Sequence, residues 1–474
     1  MALGGIDWGR RGKAAGGLRA LFPGLLCLGL GLACGPDSAE LRRGDPRPNI
    51  VLISMDTTRA DHLSAYGYER DTSPSLRVLA DQGMRFEAAY SPSATTGPSH
   101  ASLFTALAPI AHGVAKNGWP LAAEFETLAE ILAGAGYETA AVMSSYVLSS
   151  RFGFDQGFGH FDADFSQADV LVGDRLWEGE IVPGKFFGRA DDTTRRALEW
   201  LDERLQPELP FFLFVHYFDP HNPYLPPDGY SPPFKPGPRE ALKLNRTIFF
   251  YDTLIAFTDR EIGRLLAGLE ARGLEGDTLV VVTGDHGEGL MSHGHMFHGV
   301  HIYEEGVRIP LIARWPGHIP AGVVVPGPAG LTDLAPTVLD LAGVSPPASG
   351  QGRSLAEALL GSGELDPARP VHLYRRRYAG GEVVEGIYAE GEKFGLRRGR
   401  WKLIEGPGEG TLELFDLETD PGEQTNLAGQ EPEITARMRE EIAAWRRAHT
   451  LEVGDERIPS AEERMRLEAL GYVE

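Results

Sequence analysis

Asn49-Ile50-Val51-Leu52-Ile53-Ser54-Met55-Asp56 decides how the rest of the chain is read. An unbroken run of mostly branched apolar residues fits a strand covered on both faces in a parallel sheet, because a strand with one wet face alternates apolar and polar residues. The same pattern recurs at 139–143, 211–216, 278–283 and 310–313. Between these runs lie helical patterns at 74–82, 126–135, 192–205 and 247–272, the last with Asp259, Glu261 and Arg264 alternating with apolar positions. Strands alternating with helices predict an α/β fold, a large and mostly parallel sheet with helices on both faces. Ligands of such sheets bind beyond the carboxyl ends of the strands. Asp56 follows the first strand, Asp219-Pro220-His221-Asn222-Pro223-Tyr224 the third, and Asp285-His286-Gly287-Glu288 the fourth. The proline-rich stretch 220–238 reads as a loop near the mouth of that edge.

The chain has 474 residues, 42% hydrophobic and 24% charged, enough for a large core in one big domain with a smaller one attached. A formal net charge of -22 argues against a nucleic-acid partner, which requires a basic face. Residues 1–34 differ from the rest: Arg10, Arg11, Lys13 and Arg19 precede the apolar run 20–30, which reads as an export signal too short to span a bilayer comfortably. The small residues before Cys34 resemble the lipobox of bacterial lipoproteins, with Gly31 where that pattern prefers leucine. That resemblance implies an exported protein held at the membrane by a lipid on Cys34. Cys27 and Cys34 are the only cysteines, so the globular part can form neither a disulfide nor a thiolate metal site. The expected division is a tether at 35–47, the main domain at 48–350, a smaller domain at 351–450 and a tail at 451–474. Strand-like units at 385–388, 394–397, 401–404 and 413–417, followed by an amphipathic helix at 434–450, make the smaller domain an α+β unit with an antiparallel sheet.

Asp56, Asp285 and His286 offer two carboxylates and an imidazole from two strand ends, a ligand set suited to one divalent cation. The competing reading for a lone aspartate after a strand is a turn or helix cap. Thr96-Gly97-Pro98-Ser99-His100 reads as a tight turn with a helix starting at Pro98-Ser99, whose N–H groups would face whatever sits beside Thr96.

Taken together, the motifs at 49–56, 96–103, 136–139, 284–288, 332–337 and 413–426 resemble the sulfatase family of the alkaline-phosphatase-like superfamily, over nearly all of 48–448. The resemblance implies an anionic ester substrate and one divalent metal ion (Ca, Mg, Mn or Zn) held by Asp56, Asp285 and His286, with Thr96 completing the set. It also marks departures. Thr96 stands where sulfatases carry the Cys or Ser matured to formylglycine, His100 where they carry arginine, and Met143-Ser144-Ser145-Tyr146 where many have Gly-Lys-Trp-His. Thr57 replaces the second leading aspartate, which weakens the case for calcium. A threonine nucleophile is similar to that of the phosphoethanolamine transferases and lipoteichoic acid synthases of the superfamily.

His298 falls where sulfatases carry an active-site lysine, and His221 matches the histidine that faces the ester oxygen. With His100 they are expected to hold the anion and protonate the leaving group. His293, His295 and His301 read as structural, the alternative being a second metal site shared with His298, and Arg59 with Asp61 reads as a structural ion pair. The expected activity is hydrolysis of phosphate mono- or diesters, or of phosphonates, through a covalent intermediate on Thr96. The alternatives are sulfate-ester hydrolysis by an unmodified threonine, transfer of a phospho-headgroup, and a silent anion-binding lipoprotein.

Overall fold

The computed structural model describes residues 47–164, 175–177, 180–182, 187–384 and 386–450. The export signal, Cys34, the tether up to residue 46, Glu385 and the tail at 451–474 lie outside the described residues.

Strands β1 (Asn49–Met55), β2 (Met84–Tyr90), β3 (Glu138–Val142) and β4 (His160–Asp162) belong to the main sheet. The short β5 (Arg175–Trp177) and β6 (Glu180–Val182) pair with each other. The main sheet is completed by β7 (Phe211–Tyr217), β8 (Thr278–Gly284), β9 (Arg308–Ile309), β10 (Leu311–Arg314) and β11 (Val323–Gly330). Their order is β11-β2-β10-β8-β1-β7-β3-β4, with β9 pairing β2. β1 runs parallel to both β7 and β8, and β3 parallel to β7 and β4.

The double coverage expected of β1 is borne out residue by residue. Ile50 and Leu52 join one core with Phe212, Phe214, Leu279 and Val281. Val51, Ile53 and Met55 join the other with Leu213, Val215, Val280 and Val282. Helices Thr96–Thr105, Leu128–Gly134 and Leu334–Leu341 cover the first face, and Pro74–Asp81, Ala190–Glu203 and Lys243–Ala271 the second. Each large aliphatic or phenyl side chain buried this way contributes about 1.5–3 kcal/mol.

Two features differ from the expectation. β10 runs antiparallel to β8 and β2, because a four-residue apolar run carries no directional information. The strands β2 and β11 have no counterpart in the apolar runs, since β2 is only partly buried and β11 is interrupted by Pro326, Gly327 and Pro328.

The smaller unit is the expected antiparallel sheet of four strands, β12 (Val371–Val384), β13 (Ile387–Arg398), β14 (Trp401–Gly406) and β15 (Thr411–Asp416), followed by helix Pro432–His449. Met438 and Ile442 of that helix pack on Phe394, Leu396, Leu403 and Leu414.

Candidate active site

The carboxyl ends of β1, β7 and β8 meet at one point, since Ser54 is in register with His216 on one side and Thr283 on the other. By the two-residue period of a strand, Ser54 and His216 point to the face that carries Leu52 and Phe214, under helix Thr96–Thr105. The chain leaves β1 at Asp56 and β8 at Asp285, and both side chains are fully buried. Thr57 then adopts φ 50°, a left-handed conformation that strains a β-branched residue by roughly 1–3 kcal/mol. Its N–H donates to Asp285 Oδ1 (3.0 Å) and its carbonyl accepts the Tyr251 O–H (2.7 Å), so the strained turn is held from both sides.

Asp285 Oδ1 also accepts the His286 N–H (2.7 Å), which leaves Oδ2 without a hydrogen-bond partner; both oxygens of Asp56 are in the same condition. His286 Nδ1 donates to the Gly287 carbonyl (2.8 Å), a bond that places the ring's lone pair on Nε2. That Nε2 lies 3.2 Å from Thr96 Oγ1, 3.5 Å from Asp285 Oδ2 and 3.8 Å from Asp56 Oδ1. The two carboxylates, the imidazole and the threonine hydroxyl singled out in the sequence therefore converge.

Burial, reinforced by the nearby Asp285 and Glu288 carboxylates, pushes Asp56 well above the usual carboxylate range, and burial raises Asp285. Burial drives His286 well below its ordinary value, helped by the neighbouring His298. Three buried, unpaired carboxylate oxygens facing an imidazole lone pair amount to a cavity of negative potential, costly unless a cation sits among them. The donor set fits a divalent cation: Asp56, Asp285 and His286 lie within ligand range of one another, with Thr96 Oγ1 beside them.

Helix Thr96–Thr105 begins at Thr96 itself, two residues earlier than the Pro98-Ser99 start expected. Its first N–H groups are largely committed: Gly97 donates to Asn117 Oδ1 (2.7 Å), Pro98 has none, and Ser99 donates to the Thr95 carbonyl (3.1 Å). The helix end thus offers an anion less than the sequence suggested, and serves mainly to fix Thr96.

His100, expected to grip the anion, is fully buried one turn below Thr96. Its Nδ1 donates to the Thr96 carbonyl (2.8 Å) and its Nε2 accepts from Ser54 Oγ (3.0 Å), so both nitrogens are engaged within the protein. Burial holds it neutral, near pKa 4. His298 packs against His286 (ring centroids 4.5 Å) and His221 (5.1 Å), which places both at the rim of the cluster. His298 Nδ1 meets Glu288 Oε1 (3.1 Å), and Tyr224 O–H donates to Glu288 Oε2 (2.9 Å). Burial, and then His298, lower His221 to about 4.

His293 bonds Glu305 (2.6 Å) away from the cluster, and no metal-binding group involving His293, His295 or His301 occurs among the described residues. Arg59 and Asp61 form the expected ion pair (2.7 Å), and Arg59 also ties down the Glu288 carbonyl (3.1 Å). The sequence alone assigns no role to His216, Ser54 or Asn117, and none to Glu288 beyond its place after β8. His216 carried a signal all the same, as the lone histidine near the carboxyl end of a largely apolar strand.

Comparison with known proteins agrees with this geometry. The family model described as Sulfatase matches residues 48–344, and that described as N-sulphoglucosamine sulphohydrolase, C-terminal, matches 292–448. The N-acetylglucosamine-6-O-sulfatase of Bacteroides thetaiotaomicron is 25% identical over 86% of this chain and 86% of its own. The N-acetylgalactosamine-6-sulfatase of Canis lupus familiaris is 29% identical over 76% of this chain and 73% of its own. Among solved structures, the phosphonate monoester hydrolase of Agrobacterium radiobacter superposes with a TM-score of 0.68 at 24% identity, covering 86% of this chain and 99% of that one, a likeness of fold. The chain belongs to the sulfatase family and is an ester hydrolase.

Proposed function

We propose that this hydrolase cleaves phosphate mono- or diesters, or phosphonate esters, with the unmodified hydroxyl of Thr96 as nucleophile. The observation that carries the reading is the position of Thr96 Oγ1, 3.2 Å from His286 Nε2 at the edge of the Asp56–Asp285 cluster. A divalent cation held by Asp56, Asp285 and His286 would make the threonine hydroxyl acidic enough to attack at neutral pH and would offset negative charge on the ester.

This chain's own residues do the rest. The Thr96 carbonyl, bonded to His100, and the Gly97 N–H, bonded to Asn117, hold both ends of the peptide group that follows the nucleophile. Thr96 Oγ1 gives up its proton to solvent and forms a bond to phosphorus as the bond to the leaving oxygen breaks. His298, oriented by Glu288 and Tyr224, supplies a proton to that oxygen with His221 alongside, a contribution of about 10²–10⁴-fold for a well-placed general acid. Water then attacks the phosphothreonine and frees Thr96. A sulfated plain threonine lacks the elimination route that a formylglycine hydrate provides, which favours phosphoryl over sulfuryl chemistry. The fold likeness to a phosphonate monoester hydrolase is in keeping with this preference.

The names of the sequence relatives favour a second reading, sulfate-ester hydrolysis by the same threonine. Purified protein assayed with matched aryl phosphate, aryl phosphonate and aryl sulfate esters separates the two. Turnover of the phosphorus esters at least tenfold faster than the sulfate supports the proposal, and the reverse order overturns it. Export and anchoring through Cys34 are part of the same proposal, tested by mass spectrometry of the mature N-terminus for a diacylglyceryl cysteine.

A further inference from the structure

His216 is the last residue but one of β7, beside the cluster, and has no part in the proposed reaction. The ring is fully buried and its Nε2 has no hydrogen-bond partner, an unfavourable state unless something in the space it faces pairs with that nitrogen. The tautomer follows from its neighbour. Ser144 spends its only hydroxyl proton on the His216 carbonyl, so toward the ring its oxygen can only accept, and His216 Nδ1 lies 3.4 Å from it. The ring proton therefore belongs on Nδ1 and the lone pair on Nε2.

That lone pair looks at Asp56 Oδ2 from 3.6 Å, and Asp56 Oδ2 has no donor of its own. Two lone pairs facing each other in a dry interior repel, and 3.6 Å is too long for a hydrogen bond even with the other tautomer. The spacing is instead that of two atoms bound to one ion: with metal bonds of about 2.0–2.2 Å, neighbouring ligand atoms lie roughly 3–3.6 Å apart. The other members of the cluster are spaced alike, His286 Nε2 being 3.5 Å from Asp285 Oδ2 and 3.8 Å from Asp56 Oδ1. His216 also lies within 4.8 Å of Asp285 in ligand-atom distance. His100 cannot play this part, because its Nδ1 proton is committed to the Thr96 carbonyl and its Nε2 already accepts from Ser54.

We infer that His216 Nε2 is a direct ligand of the cation held by Asp56, Asp285 and His286, and that this second imidazole selects a nitrogen-binding transition ion over calcium. The inference rests on the cation site of the preceding proposal and adds its composition: two carboxylates, two imidazoles and the Thr96 hydroxyl. Imidazole ligands suit zinc, manganese, iron or cobalt, whereas calcium takes six to eight oxygens.

Metal-stripped full-length protein is titrated with Zn²⁺ and with Ca²⁺ by calorimetry, as wild type, as His216→Ala and as the volume-conserving His216→Asn. Expected are one Zn²⁺ per wild-type chain, Zn²⁺ preferred over Ca²⁺ by at least a hundredfold, and a tenfold or greater loss of Zn²⁺ affinity in either variant with Ca²⁺ affinity nearly unchanged. The native chain gives an independent reading that needs no variant: loaded with Co²⁺, it should show two exchangeable, hyperfine-shifted imidazole N–H resonances, from His286 and His216. One such resonance, or variants that bind Zn²⁺ like wild type, overturns the role of His216 alone. Two ions per wild-type chain with only one lost in the variants also overturns it, by placing His216 in a separate site. A wild-type chain that binds neither ion overturns this inference and the cation site beneath it together.

Discussion

Among the described residues, two places where charge is buried make a contrast, one with its partners in reach and one without. On β14 of the antiparallel sheet Lys402, fully buried, lies 3.0 Å from Glu304 and 2.9 Å from Glu423. In the turn between β14 and β15 Glu409 receives Arg375 at 2.7 Å and Lys393 at 2.8 Å. Burial opposes the charge on Lys402, yet Glu304 and Glu423 outweigh it and hold the ammonium above its ordinary pKa. At the strand ends of the main sheet Asp56, Asp285, His216 and His286 are just as buried, but their free atoms face one another with no positive charge among them. Burial of charge is thus common to both places. What marks the second as functional is the convergence of three unpartnered carboxylate oxygens, from Asp56 and Asp285, on one imidazole; single ones occur elsewhere, as at Asp219 Oδ2.

The largest effect that separates the two clusters is on turnover. Thr96→Val should lower the rate by about 10³-fold or more while leaving the melting temperature close to wild type and the other cation ligands in place. Full activity in that variant breaks the comparison outright. Next comes stability: Lys402→Met strands two glutamates and should cost about 3–5 kcal/mol in a denaturant titration, with activity per folded molecule unchanged. The counterpart change in the other cluster should have the opposite sign. In metal-stripped protein at pH 8, Asp56→Asn removes an unpaired buried charge and should raise stability by roughly 1–3 kcal/mol, while abolishing tight cation binding. Destabilisation there would mean that Asp56 is paired within the protein after all.

The smallest effect concerns a histidine outside the cluster. Burial works against a charged His293, but its hydrogen bond and attraction to Glu305 prevail and raise its pKa above the ordinary value. A raised histidine stabilises the fold fully below its unfolded pKa of about 6.5, and that contribution disappears as the pH climbs through the raised value. His293→Gln should therefore lower the melting temperature at pH 6, by an equivalent of about 1 kcal/mol or less, and change little at pH 9. Equal losses at both values would show that the pair is not ionic.

Much of this was legible in the chain. β1, β7 and β8 announce themselves because strands covered on both faces leave no polar position to blur the pattern, and the strand-end rule then leads to Asp56, Asp285 and His286. Thr96 joins them from a helix on one face of the sheet, a meeting that no local pattern encodes and that the family resemblance supplied. β2 and β11 escaped because their exposure is mixed and prolines interrupt β11. His216 was hidden by its own strand: it reads as the tail of an apolar run until its register with Ser54 shows which way it points. His100 misled for the converse reason, its position suggesting contact with substrate while the helix turns it inward to Ser54.

The central claim is tested most directly by intact-protein and peptide mass spectrometry on enzyme quenched with acid during turnover of an aryl phosphate or phosphonate. The account predicts a phosphoryl or phosphonyl adduct on Thr96, present in the burst and absent from Thr96→Val. An unmodified Thr96 during active turnover, or an adduct on any other side chain, would contradict it.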